Sequence, residues 1–171
     1  MSLSAITWLD DRVVVLDDDL LVVDKARGIV VHGGDEARGD DLVSRLGAWL
    51  QARGQPAYLG VHQRLDKDAS GILLFTRNKG LNAAVAGDME GHRARRTYVA
   101  AVADSGLARE GVLEHRLVHE KGGITRVVSR GGQHAVARYR VMERRQGRAL
   151  VELSPETGRT HQLRAQLAAV L

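Results

Sequence analysis

Between residues 98 and 153 the chain is a succession of short apolar runs separated by glycine-bearing turns, with no sustained helical period. Ala135-Val136-Ala137-Arg138-Tyr139-Arg140-Val141 alternates apolar and polar, which suits a strand with one buried and one solvated, basic face. Runs at residues 98–103, 111–117, 125–129, 135–143 and 148–153 read as strands, as do 12–16, 20–24 and 28–32 nearer the start. The first of these early turns is Asp17-Asp18-Asp19. Residues 72–76, short, bounded and rich in β-formers, make a buried strand. Helices are few. Asp40 or Asp41 caps one that runs to about Arg53, with Leu42, Val43, Leu46, Trp49 and Leu50 as its stripe and Gly54 as its stop. A second covers residues 78–89. A third follows a turn marked by Pro155 and Gly158, with Thr157 or Thr160 expected at its N-cap and Leu163, Leu167 and Val170 facing the core. The expected class is α+β: mostly antiparallel strands with a few covering helices.

Charge distribution narrows the partner. Residues 1–60 carry 6 basic and 10 acidic side chains, whereas residues 61–171 carry 19 and 11. Of the 25 basic residues 21 are arginine, the better residue for forked phosphate contacts. That asymmetry favours a polyanionic substrate. With no cysteine, disulfides and thiolate metal sites are excluded. No apolar stretch reaches membrane length and no secretory signal is visible, which points to the cytosol.

Three segments carry chemistry. In the first, Arg64-Leu65-Asp66 leads through a polar turn and Gly71 into the apolar run 72–75, so Asp66 sits on a loop braced by a core strand. An Asx-turn made by Asp66 and Asp68 is the plain alternative. In the second, Thr157-Gly158-Arg159-Thr160-His161-Gln162-Leu163-Arg164 opens the last helix. His161 and Arg164, three apart, share a face away from the apolar stripe. Cations on a first helical turn are poorly placed for the helix dipole, so a carboxylate, a phosphate or both should compensate. A solvated polar face is the alternative. The third is the basic doublet Arg95-Arg96 followed by Thr97-Tyr98-Val99-Ala100, where Tyr98 starts a strand.

Taken together and in this order, the three segments resemble the RluA-like family of RNA pseudouridine synthases. The N-terminal stretch Val23-Asp24-Lys25-Ala26-Arg27-Gly28-Ile29-Val30-Val31-His32 is similar to that family's Lys-Pro-x-Gly segment, with Ala26 in place of proline. Gln63, Ala69 and Gln166 are further departures. The resemblance implies a mixed, mostly antiparallel sheet of the pseudouridine synthase catalytic-domain type. It implies one domain over residues 1–171, short of the family's C-terminal strands and without an S4 domain upstream. It also implies isomerisation of uridine to pseudouridine in ribosomal or transfer RNA. Asp66 would be the catalytic carboxylate, attacking C1′ or taking a C2′ proton, and Arg164 its cationic partner. Tyr98 would stack on the uracil and take part in C5 deprotonation. The reaction is redox-neutral and calls for no cofactor and no metal. Because a stacked uracil cannot reach a recessed carboxylate, the nucleotide must be extruded. Arg64 is then a candidate for the RNA side of the pocket, and Arg159 and His161 for substrate contacts. Two other classes remain: an RNA-binding module of this fold that is catalytically incomplete, and a metal-dependent hydrolase built on His115 and His119 with Glu114 and Glu120. The target uridine and the oligomeric state are not encoded in any motif.

Overall fold

The computed structural model of the chain describes residues 7–33, 39–91 and 93–171. Its contacts divide it into two compact units, Met1–Gly91 and His92–Leu171. Each unit has its own sheet.

In the first unit, β1 (Val13–Leu16), β2 (Leu20–Lys25), β3 (Gly60–Val61) and β4 (Gly71–Thr76) lie in the order β1-β2-β4-β3, every pairing antiparallel. Leu21 faces Phe75 and Val23 faces Leu73 across the β2–β4 pair. These four side chains therefore share one face, and at most 1% of any of them is exposed. Helix α1 (Leu42–Gln51) covers that face with Leu42, Leu46, Trp49 and Leu50. Its N-cap is Asp41, whose Oδ1 accepts from Ser44 N at 2.9 Å. Gly54, at φ +69°, follows its end. The helix expected over 78–89 forms in two pieces. The Asn78 side chain accepts from Gly80 N and starts a 3₁₀ turn at Lys79–Leu81, and α2 (Asn82–Glu90) continues from it.

Residues 28–32, expected to be a strand, are turn and coil. Val31 is buried as a strand residue would be, but no neighbouring strand takes up the backbone here. The carbonyls of Val30 and Val31 instead accept from Leu42 N and Val43 N at the start of α1, and that of Ile29 accepts from Lys25 Nζ.

The second unit holds β5 (Tyr98–Ala103), β6 (Glu110–His119), β7 (Thr125–Val128), β8 (Gln133–Arg145) and β9 (Arg148–Pro155), in the order β5-β9-β8-β6-β7. All its pairings are antiparallel too, so the α+β class holds with two antiparallel sheets among the described residues. Helix α3 (Gln162–Ala168) packs Leu163 and Leu167, with Val170 just beyond, onto Leu113, Val141, Val151 and Leu153. The opposite face of β8 is basic as expected, and its arginines are paired: Arg138 with Glu156 and Arg140 with Glu152. No helix among the described residues is long and apolar enough to cross a membrane.

Candidate functional site

Asp66 heads a β-turn in the first unit, its carbonyl accepting from Ala69 N at 3.1 Å. The turn ends two residues before Gly71, whose φ of +135° is a conformation few other residues adopt, and β4 begins there. What fixes the turn to the sheet is Lys25. This residue ends β2 in register with Gly71 and has no exposed surface. Its ammonium donates to the carbonyls of Ala26 (2.9 Å), Ile29 (2.8 Å) and Lys67 (3.1 Å). Gly28 N also donates to Lys67 O at 2.7 Å. One buried cation thus gathers the 26–29 turn and the Asp66 turn together. Burial pushes its pKa below the ordinary lysine value, while the charges of Asp68 and Asp66 oppose that shift. Asp66 is half-buried and Arg64, two residues earlier, is exposed. Among the described residues the Arg64 guanidinium has no hydrogen-bond or ion-pair partner.

Beside this loop a polar chain runs from His62 Nε2 to Thr76 Oγ1 (2.9 Å), from Thr76 Oγ1 to Asn82 Oδ1 (2.6 Å), and from Asn82 Nδ2 to the Tyr58 hydroxyl (2.6 Å). Burial lowers the pKa of His62. Gly60 lies against this chain, and a Cβ there would collide with Thr76 Oγ1.

The remaining expected residues lie in the second unit. Tyr98 opens β5 opposite Leu153 of β9, and its ring packs on the core of this unit. Its hydroxyl has no hydrogen-bond partner among the described residues. After β9 the chain forms a loop over residues 156–161 that carries Arg159 and His161, and Arg164 follows in α3, exposed. The N-cap of α3 is His161, in the left-handed region at φ 49°, ψ 29°, and not Thr157 or Thr160. Thr157 is committed elsewhere: its hydroxyl accepts from Val136 N (2.9 Å) and donates to Gln162 Oε1 (2.8 Å). The Thr160 carbonyl accepts from Thr125 Oγ1 (3.0 Å), which also bonds His119 Nδ1 (2.9 Å). The His119 and His161 rings meet edge to face at 5.9 Å. Arg159 Nε donates to His134 O at 3.1 Å, and its terminal nitrogens have no partner among the described residues.

Two glutamines hold this loop in place. Gln162 Oε1 accepts from Arg159 N (3.0 Å) as well as from Thr157, and its Nε2 donates to Val136 O (3.0 Å) and Gln166 Oε1 (3.1 Å). Gln166 Nε2 donates to Leu113 O (2.8 Å) and Ala135 O (3.0 Å). Both amides are buried with every donor and acceptor used, so the network rigidifies rather than destabilises. Sequence reasoning missed Lys25, Gln162 and Gln166 as site supports. The one available signal was a pair of glutamines four apart, bordering the apolar stripe of α3.

The hydrolase alternative fails on geometry. His115 and His119 both lie on strand β6, four residues apart, which separates them by roughly 13 Å at strand rise. One ion cannot bridge that gap. Glu114 is also engaged, by His134 at 2.9 Å, and Glu120 pairs with Arg126.

The fold and these loops define an α+β protein with a carboxylate turn on one antiparallel sheet and a cationic loop leading into a helix on another. The family model described as RNA pseudouridylate synthase matches residues 19–169, and the chain belongs to that family. An uncharacterized RNA pseudouridine synthase of Bacillus subtilis (strain 168), YhcT, is 31% identical over 90% of the chain and 52% of its own length. Ribosomal large subunit pseudouridine synthase D of Nitrosomonas europaea is 31% identical over 93% of the chain and 46% of its own length. The chain therefore spans about half the length of these relatives. Among solved structures, human RNA pseudouridylate synthase domain containing 4 superposes with a TM-score of 0.80 at 25% identity, covering 98% of this chain and 67% of that one.

Proposed function

We propose that this chain isomerises uridine to pseudouridine within ribosomal or transfer RNA. The N1–C1′ bond breaks, the uracil turns, and a C5–C1′ bond forms. The C5 hydrogen leaves to solvent and N1 regains one, so atoms and electrons balance without an oxidant. Asp66 acts at the sugar, by attack on C1′ or removal of the C2′ proton. Arg164 opposes its charge and orients it. Tyr98 stacks on the uracil and assists loss of the C5 proton. Arg64, Arg159 and His161 contact the RNA around the extruded nucleotide.

The observation that carries this reading is the family match across residues 19–169. Its support among the residues is that Asp66 heads a turn tied to the core by Lys25, while Tyr98 presents a hydroxyl without a hydrogen bond among the described residues. Tritium release from [5-³H]uridine-labelled RNA tests it, with Asp66→Asn as the paired variant. Release by the parent alone is expected. RNA binding without release by either protein would replace this reading with that of a catalytically incomplete RNA binder.

A further inference from the structure

The doublet Arg95-Arg96 has no part in the mechanism above. Burial alternates with a period of two from residue 94 to residue 102: 94, 96, 98, 100 and 102 are half-buried, while 95, 97, 99 and 101 are exposed. Arg96 therefore leaves the chain on the same side as Tyr98, one pleat earlier. Its guanidinium rests against Gly158, where a Cβ would lie 3.5 Å from both Nη1 and Nη2. Among the described residues no hydrogen bond, ion pair or ring contact engages it. Three arginines of β8 differ from it: Arg138, Arg140 and Arg144 are each paired, with Glu156, Glu152 and Asp104. A half-buried fork of five donors with no acceptor is poised for an anion supplied from outside. Arg159, the residue after Gly158, likewise has terminal nitrogens without a partner among the described residues. Two such guanidinium groups at one loop suit an acceptor with several oxygens.

We propose that Arg96 is a phosphate-binding residue: its guanidinium, seated against Gly158, takes a phosphodiester of the RNA backbone next to the nucleotide presented to Tyr98. This rests on the reading of the chain as acting on RNA. Its contact carries no base information, so it strengthens binding to all sequences alike.

Fluorescence anisotropy of the full chain with a labelled RNA stem–loop, over a range of salt concentrations, tests the proposal. Arg96→Gln is expected to bind about tenfold more weakly and to flatten the log K against log[salt] slope by about 0.7–0.9, one phosphate's worth. Arg96→Lys should restore the slope, Arg95→Gln should match the parent, and the melting temperature of Arg96→Gln should not move. A parental slope in Arg96→Gln, or an equal loss in Arg95→Gln, overturns the proposal. So does a lowered melting temperature that Arg96→Lys leaves uncorrected, which would make Arg96 a packing residue. A parent that binds RNA but forms no pseudouridine overturns the isomerase reading alone, and Arg96 is then judged by the slope. A parent that binds no RNA overturns both.

Discussion

Replacing Lys25 by methionine asks whether one ammonium ties the Asp66 turn to its sheet. Methionine keeps an unbranched stem in a position with no exposed surface, and removes donors from the carbonyls of Ala26, Ile29 and Lys67. Lys67 O keeps Gly28 N as a partner, whereas Ala26 O and Ile29 O have no other among the described residues. Two buried acceptors left unsatisfied cost about 1–3 kcal/mol each. Relief of the ammonium's desolvation offsets part of that. The net loss expected is about 2–4 kcal/mol, or roughly 5–15 °C in Tm for a chain of this size. The pH dependence has a definite sign. The folded-state pKa of Lys25 lies below the ordinary 10.5, so between the two values the unfolded chain holds the extra proton. The parent gains stability as pH rises through that window, and Lys25→Met, lacking the group, does not. Urea unfolding followed by circular dichroism at a series of pH values measures both effects. A variant with the parental midpoint, and a difference from the parent that stays flat with pH, would refute the role assigned to the ammonium.

Four further outcomes are expected. Arg164→Lys keeps the charge but loses the fork, so turnover should fall at least about tenfold and the acid limb of the activity–pH profile should move toward neutrality; an unchanged limb and rate would remove Arg164 from the mechanism. Tyr98→Phe should bind RNA within about twofold of the parent yet lose product formation by about a hundredfold or more in single turnover, and near-normal turnover would dismiss the phenol. His62 has a folded-state pKa below 6.5, so acidification through that window protonates the unfolded chain first and lowers stability; His62→Gln should flatten this slope in denaturant unfolding. Gly60→Ala drives a methyl into Thr76 Oγ1 and to 2.7 Å from Asn82 Oδ1, at a cost of about 1–3 kcal/mol. Gly47→Ala inside α1, with its nearest neighbour at 3.7 Å, should instead stabilise by about 0.5–1 kcal/mol, and equal melting shifts for the two variants would contradict the packing described.

Strands were legible wherever side chains alternate along them, because a half-buried sheet writes its faces directly into the sequence. β8 and β9 show this: their expected positions differ from the observed ones only at the ends. Residues 28–32 misled because burial of Val31 looks the same whether the backbone pairs with a strand or caps a helix. The partner of a carbonyl leaves no trace in the side-chain pattern. Lys25, Gln162 and Gln166 were illegible for a related reason. A polar residue beside an apolar run reads as facing water, and only distant carbonyls (Lys67 for Lys25, Leu113 and Ala135 for Gln166) make its burial tolerable. The triplet at 64–66 and the segment 157–164 were visible as motifs, but the left-handed turn at His161 had no signal such as glycine to announce it.

The grip of Gln166 on Leu113 O and Ala135 O has a consequence for how errors in folding are handled. Those carbonyls belong to β6 and β8, where Leu113 pairs with Ala137 and His115 with Ala135. A slip of one residue between these strands would shift one carbonyl about 3.3 Å along its strand, out of hydrogen-bond reach of its amide donor. The amide would lose a bond in a buried place, and through Gln162 the loop bearing Arg159 would lose its anchor. Correct strand alignment in the sheet is thus a precondition for the cationic loop to settle. A misaligned copy of this chain would disarm itself before it could meet a substrate.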